Sequence, residues 1–354
     1  MLAEVEITNF RCIESAKLEL DPAGTGILGS NASGKTSLLE AIFFLGHGRS
    51  FRTNVRDKLV RTGSHFFRVV AKIDSSRGLI TAGTEYVDGE TRTRLAGEGI
   101  SSISQIAEIV PIQLIDPGVH RLIEEGSARR RRLLDWGVFH VKHDFVHGWR
   151  RYQRALSQRN AALRSGQAPD AISAWEHELS QYGVDIDRAR AAYVEALVPH
   201  FESLAVPLLD ETATLTYRRG WPAEQSLLEA LVSARVQDQR VKTTTVGPHR
   251  ADLVFKVAGT SARDRVSRGQ QKMLAAAFIL AQTRLRAETA LVPTCLLLDD
   301  PAAELDVDNL GKLLKVIDSI PSQLIVTSVS EAGLSGMNIA RRFHVEQGAF
   351  APML

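Results

Sequence analysis

The sequence predicts an α/β fold: a lobe with mixed sheets assembled from both ends of the chain and interrupted by a mainly helical second lobe. Three observations predict it. Near the N-terminus a short apolar run, Gly26-Ile27-Leu28, enters a glycine-containing loop, and Leu38, Leu39, Ile42 and Leu45 then recur at helical spacing. Towards the other end Cys295-Leu296-Leu297-Leu298 is an apolar strand that finishes on two carboxylates, Asp299 and Asp300. Between about 120 and 240, Ile172, Trp175, Leu179, Ile186, Ala189, Tyr193 and Leu197 step by threes and fours, as packed helices do. The expected division places residues 1–118 and 242–354 in the first lobe and 119–241 in the helical one.

Taken in order, Val5 and Ile7, then Ala16, Leu18 and Leu20, alternate as paired strands on a half-buried sheet. Residues 65–115 read as further strands, with turns at Asp74-Ser75-Ser76 and Asp88-Gly89. A Gly247-Pro248 turn marks the return to the first lobe. A helix from Gly269 to about Arg286 follows, then a strand at 294–298, a helix near 305–319 and a strand at 324–328.

The 354 residues are 44% hydrophobic and 24% charged, which suits a folded chain large enough for one big core or two linked lobes. Cys12 and Cys295 are the only cysteines and lie far apart, so neither a disulfide framework nor a CxxC metal site is predicted, and a reducing cytoplasm is the expected compartment. The opening MLAEVEITNF has no basic leader before an apolar run, and no stretch approaches a membrane span, so neither a signal peptide nor a membrane partner is expected. A net charge of +2 is too mild to imply nucleic acid by itself.

The run Gly29-Ser30-Asn31-Ala32-Ser33-Gly34-Lys35-Thr36 satisfies GxxxxGK[ST] between a strand and a helix, and Ser37 completes the helix start. Backbone N–H groups of such a loop converge on phosphates, and the helix adds its positive N-terminal end. ATP and Mg²⁺ are the expected cofactors: Lys35 reaches the β- and γ-phosphates, and the Thr36 hydroxyl ligates the metal. Ala32 stands where a positive φ would cost on the order of 1 kcal/mol. A strand that delivers Asp299 to its end supplies a second contact to Mg²⁺, through water. Asp300 is the expected residue to orient or deprotonate the attacking water; many ABC ATPases carry a glutamate here, and the shorter aspartate predicts slow hydrolysis.

Ser267-Arg268-Gly269-Gln270-Gln271-Lys272 resembles the ABC signature, in which a serine hydroxyl, a glycine amide and a helix N-terminus face negative charge. That resemblance implies that Ser267, Gly269 and Gln270 touch the nucleotide of a second copy, so that ATP joins a two-fold homodimer. By itself the run reads better as an ordinary N-capped helix, and the order of phosphate loop, this run and the acidic strand turns the balance. Ala303-Glu304-Leu305-Asp306 is similar to the loop that crosses such a dimer interface, and Gln113 stands for the glutamine that senses Mg²⁺ and water. Where a histidine is usual after the last strand the chain has Thr327-Ser328, whose hydroxyls are the expected substitutes toward a γ-phosphate.

Longer runs carry a more specific resemblance. Ile7-Thr8-Asn9-Phe10-Arg11, Gly34–Ile42 continuing to Gly46-His47-Gly48-Arg49-Ser50-Phe51-Arg52, Arg129–Trp136, Tyr217-Arg218-Arg219-Gly220-Trp221 and Gly247-Pro248-His249-Arg250 together resemble the RecF family of bacterial recombinational repair and replication proteins, relatives of SMC-type ATPase heads. Ala32 and Ala251 depart from the pattern, an acidic residue being expected at the second. The resemblance implies a slow, DNA-stimulated ATPase that binds double- and single-stranded DNA without sequence specificity, dimerises with ATP, and works with RecR and RecO to help RecA load at gaps. The residues offer moderate independent support for DNA: Arg129, Arg130, Arg131 and Arg132 are consecutive, and Arg150, Arg151 and Arg154 share a helical face suited to phosphates. Ion pairs to Glu124, Glu125 and Asp135 would absorb the same arginines. The rival readings are a soluble ABC-type ATPase or an ATP-binding scaffold that does not act on DNA.

Overall fold

The computed structural model describes residues 1–353 except Ser76, Arg77, His143, Leu291 and Glu304. The chain divides into two compact units, residues 1–120 with 272–354, and residues 121–271. The first boundary lies close to the expected one. The second lies about thirty residues beyond it, because the strands that follow the Gly247-Pro248 turn pair inside the second unit.

The first unit opens with β1 (Leu2–Phe10), β2 (Ile13–Glu19), β3 (Thr25–Leu28), α1 (Lys35–His47), β4 (Phe66–Ser75), β5 (Gly78–Val87), β6 (Glu90–Leu95), β7 (Glu98–Ile100), α2 (Ser104–Ile109) and β8 (Ile112–Ile115). An antiparallel sheet runs β2-β1-β4-β5-β6-β7, with alternating burial along β1, β2 and β4 as their sequence pattern requires. Asp88 and Gly89 make the β5–β6 turn with φ of 50° and 85°, the pairing that a two-residue hairpin favours. The turn expected at Asp74-Ser75-Ser76 lies partly outside the described residues, since Ser76 is among those left out; Asp74 and Ser75 belong to β4.

In the second unit come α3 (Arg121–Glu124), α4 (Ser127–Val141), α5 (Phe145–Ser165), α6 (Pro169–Leu209), β9 (Ala213–Arg218), α7 (Leu227–Ser233), α8 (Arg235–Val241), β10 (Asp252–Val257), β11 (Thr260–Ser261) and α9 (Ala262–Arg265). The 41-residue α6 runs through Pro199 and Pro207, both poor interior residues. Its buried stripe of Leu197, Phe201, Leu204, Ala205 and Leu208 offsets their cost, with Phe201 set edge-on against Phe255 of β10 at 5.7 Å. β9, β10 and β11 form a three-stranded sheet.

Then α10 (Arg268–Thr289) continues into the first unit, followed by β12 (Thr294–Asp299), α11 (Val307–Asp318), β13 (Ser322–Ser328), β14 (Arg341–Glu346) and β15 (Ala349–Met353). The second six-stranded sheet has the order β15-β14-β3-β13-β12-β8 and is parallel except for β15. β3 and β12 are buried at every residue, as parallel strands covered on both faces must be. α1 is buried almost all round and shares one core with both sheets, where Phe44 meets Phe10 and Phe67 edge-on. This burial fixes the loop that precedes α1 against the ends of β3, β12 and β13.

Candidate nucleotide site

Parallel register brings the acidic strand end to the phosphate loop. β13 lies between β3 and β12, with Ser328 beside Leu28 and Thr327 beside Asp299. The loop starts on the Gly29 N–H, which donates to the Ser328 carbonyl at 3.2 Å. It ends on Gly34, whose φ of 121° leads into α1 with no side-chain cap. Lys35 Nζ folds back onto the carbonyls of Gly29 and Ser30 at 2.7 and 2.9 Å. Burial lowers its ammonium below the ordinary value, against the pull of Asp300 and Asp299. Ala32 does adopt the left-handed conformation, φ 63°, and so bears the strain its position implied.

Thr36 Oγ1 donates to the two carboxylate oxygens of Asp299 at 3.1 and 3.0 Å. Thr327 Oγ1 donates to Asp299 Oδ1 at 2.8 Å and accepts the Asp300 N–H at 3.0 Å. Burial raises the Asp299 carboxyl above its ordinary value, while the Thr327 and Thr36 hydroxyls and the charges of Arg52 and Lys35 pull it back. Asp300 sits at φ 44°, a conformation uncommon for an aspartate and of the kind that collects at functional sites.

These residues fit a metal-bound polyphosphate. The Ser33 hydroxyl is buried with no hydrogen-bond partner among the described residues, and the α1 terminus offers uncapped N–H groups. Thr36 and Asp299 present hard oxygen ligands side by side, the donor set that Mg²⁺ takes.

Some expectations change. Gln113 lies inside β8, not after it, level with Leu296 of β12 and so three residues short of Asp299, about 10 Å at strand rise. It is buried and donates to Gln282 Oε1 at 3.1 Å; the strand register puts Asp116 next to the level of Asp299 instead. Neither hydroxyl at the end of β13 is free for a phosphate. Thr327 is spent on Asp299, and the Ser328 hydroxyl donates to the Ser330 carbonyl at 2.9 Å. The sequence reading set the Thr327 hydroxyl toward a phosphate and did not foresee its bond to Asp299.

A second network, also unforeseen, ties the Arg11 and Ser50-Phe51-Arg52 runs to α1. Glu40 is fully buried, takes a bidentate pair from Arg11 at 2.9 and 2.8 Å, accepts the Ser50 hydroxyl, and has Arg52 at 3.8 Å.

In the second unit, Ser267 and Gln270 form a reciprocal cap on α10: the Gln270 N–H donates to Ser267 Oγ at 3.3 Å, and the Ser267 N–H to Gln270 Oε1 at 3.1 Å. Ser267 Oγ is the acceptor of this cap, and a Cβ on Gly269 would stand 3.9 Å from it. Arg268 is exposed and pairs loosely with Glu124 at 3.6 Å. Of the loop that follows β12, Asp306 caps α11 through the Asn309 N–H at 2.9 Å, while Glu304 lies outside the described residues.

The four consecutive arginines do not form one surface. Arg130 is buried, paired with Asp252 at 2.7 Å and bonded to the carbonyls of Leu122, Ile123 and Glu125. Arg131 is bonded to Ser127 and, at 2.7 Å, to the Ala251 carbonyl. Arg129 is half-buried against Glu125 at 3.3 Å, and only Arg132 is exposed. Arg150, Arg151 and Arg154 are all exposed on α5, joined there by Arg164, whereas Arg159 is buried between Glu176 and Asp238 at 3.0 and 2.6 Å. The remaining quoted runs meet in the interior of this unit: the Gly247 N–H donates to the Gly220 carbonyl at 3.0 Å, and Arg190 donates to Asp135 at 2.8 Å and to the Pro248 carbonyl at 2.6 Å. Asp252, next to Ala251, is the carboxylate that pairs with Arg130.

Among the described residues no helix is long and apolar enough to cross a membrane. The RecF/RecN/SMC N terminal domain model matches residues 1–350. The DNA replication and repair protein RecF of Thioalkalivibrio sulfidiphilus is 36% identical over 353 residues, 98% of each chain. That of Xanthomonas euvesicatoria pv. vesicatoria is 39% identical over 345 residues, 94% of this chain and 93% of its own. A solved structure of the recombination mediator protein RecF-ATP in the RecFOR pathway superposes with a TM-score of 0.90 at 26% identity, over 100% of this chain and 97% of that one. The Smc head bound to the C-winged helix domain of ScpA shares the fold, with a TM-score of 0.62 at 16% identity over 99% of this chain and 96% of that one. The chain belongs to the RecF family.

Proposed function

We propose that the chain is an ATP-dependent DNA clamp of recombinational repair and replication-gap processing, which closes on DNA as an ATP-bound homodimer. Its relatives are called DNA replication and repair proteins, and its structural neighbour is a recombination mediator with ATP, of the RecFOR pathway. RecR, RecO and RecA are its expected partners on that ground. The observation that carries the reading is the Thr36–Asp299 contact at 3.0 Å, because it joins the hydroxyl at the loop's end to the carboxylate of a buried strand.

Bound Mg-ATP supplies the terminal anhydride and the negative charge that a second copy recognises. Lys35, now on the Gly29 and Ser30 carbonyls, would hold the β- and γ-phosphate oxygens instead. Thr36 and, through water, Asp299 would hold the metal, and Thr327 would keep the Asp299 carboxylate in place for it. Asp300 orients the attacking water, and its short side chain makes turnover slow. The exposed Ser267 hydroxyl and the exposed helix start at Gly269 meet the triphosphate of the partner copy. Phosphate contact on DNA falls to Arg132, Arg150, Arg151 and Arg154.

ATP hydrolysis measured at one salt concentration, without DNA and with duplex, gapped or single-stranded DNA, tests the reading. A slow basal rate that rises with DNA is expected, and Asp300→Asn should bind ATP yet stay on DNA without turnover. Equal rates with and without every DNA would overturn the DNA assignment. Undiminished turnover by Asp300→Asn would remove that residue from the chemistry.

A further inference from the structure

Two hairpin turns, one from each six-stranded sheet of the first unit, close on the phosphate loop from outside. The turn between β14 and β15 consists of Gln347 and Gly348, with φ of 47° and 82°. Both signs are positive, as a two-residue hairpin turn of type I′ requires. The Gly348 N–H donates to the Ser33 carbonyl at 2.7 Å. A Cβ on Gly348 would stand 2.4 Å from the Cys12 carbonyl oxygen, so only glycine lets this turn reach the β1–β2 turn. A Cβ on Gly34 would itself stand 3.3 Å from Gly348 Cα and 3.4 Å from Cys12 Sγ. At the loop's other end a Cβ on Gly29 would meet the Val345 carbonyl of β14 at 2.4 Å. The C-terminal hairpin therefore touches the loop where it begins and where it ends.

The planar trans peptide gives that contact a direction. Because C=O and N–H point to opposite sides of the Ser33–Gly34 peptide, drawing the Ser33 oxygen toward Gly348 turns the Gly34 N–H away from the hairpin. A loop whose amides already converge does not have to be ordered when an anion arrives.

We infer that the C-terminal hairpin is a positioning element of the nucleotide site, with Gly348 the residue through which it sets the Ser33–Gly34 peptide. The inference rests on the nucleotide reading above. Order in the hairpin and occupancy of the loop then stabilise each other to the same extent, as linkage requires.

Titration of ADP and ATP against the full chain and Gly348→Ala tests it. Because the loop cradles the phosphates both nucleotides share, both dissociation constants should rise by the same factor, at least about tenfold. Gln347→Asn, which suits the first position of the turn, should keep wild-type affinity or improve it. A wild-type measurement needs no variant to fold. Cys12 is exposed, whereas Cys295 is buried with its thiol pushed up to about 12, so alkylation reports Cys12 alone. Saturating ADP should slow that alkylation as the two turns tighten on the loop. A folded Gly348→Ala with wild-type ADP affinity, or Cys12 alkylation indifferent to saturating ADP, overturns the inference. A wild-type chain that binds neither nucleotide overturns the nucleotide reading, and the inference falls with it.

Discussion

Burial works against the charge of Asp299. Two hydroxyls donate to it, from Thr36 and Thr327, but burial still raises its carboxyl above the ordinary 3.8. A raised carboxyl value means that ionisation opposes folding. The contribution is fully favourable below 3.8 and is lost as pH rises through the folded value. Asp299→Asn, whose amide oxygen keeps both hydroxyl donors, is therefore expected to raise the stability of the nucleotide-free chain at pH 7, with the gain shrinking as pH falls toward the ordinary aspartate range. Chemical denaturation across that range measures it, and a variant less stable than wild type at pH 7 would contradict the sign. The acidic strand end was legible in sequence because six apolar-to-acidic residues in a row leave little choice of environment. Thr327 was not, because the register that sets it beside Asp299 depends on strand order, which no local pattern encodes.

At the scale of elements, helical periodicity explains why the basic run misled. Four consecutive residues on a helix point in four directions about 100° apart, so Arg129–Arg132 had to divide between interior and solvent. Spacing of one turn on α5 keeps Arg150 and Arg154 together, with Arg151 beside them, and all three are exposed. The triple change Arg150→Ala, Arg151→Ala and Arg154→Ala should weaken DNA binding and reduce the salt slope by roughly 0.9 per lost phosphate contact. Arg130→Ala is the internal control: it strands Asp252 and should cost about 3–5 kcal/mol of stability in the second unit. Salt titrations and urea melts separate the two. Unchanged salt slopes in a folded triple variant would place the DNA surface elsewhere. The P-loop, the cap on α10 and the buried strand β12 were legible because each has a local chemical reason. The length of α6 was not, since Pro199 and Pro207 argue against it and only packing against β9 and β10 overrides them.

For the whole molecule, the first unit collects its nucleotide-binding parts from both ends of the chain, and the second carries the capped serine at the start of α10. Sequence order alone suggested this arrangement, but not where the chain returns. The β9–β10 pairing and the Arg130–Asp252 ion pair keep residues up to 271 with the helical unit. A nucleotide-driven clamp further requires that the serine of one copy face the loop of another. Sedimentation of the wild-type chain and of Ser267→Arg with a saturating non-hydrolysable ATP analogue tests this most directly. The account predicts dimers for the wild type and single subunits for Ser267→Arg, with analogue bound to both. Wild-type single subunits under saturation, or dimers of the variant, would contradict it.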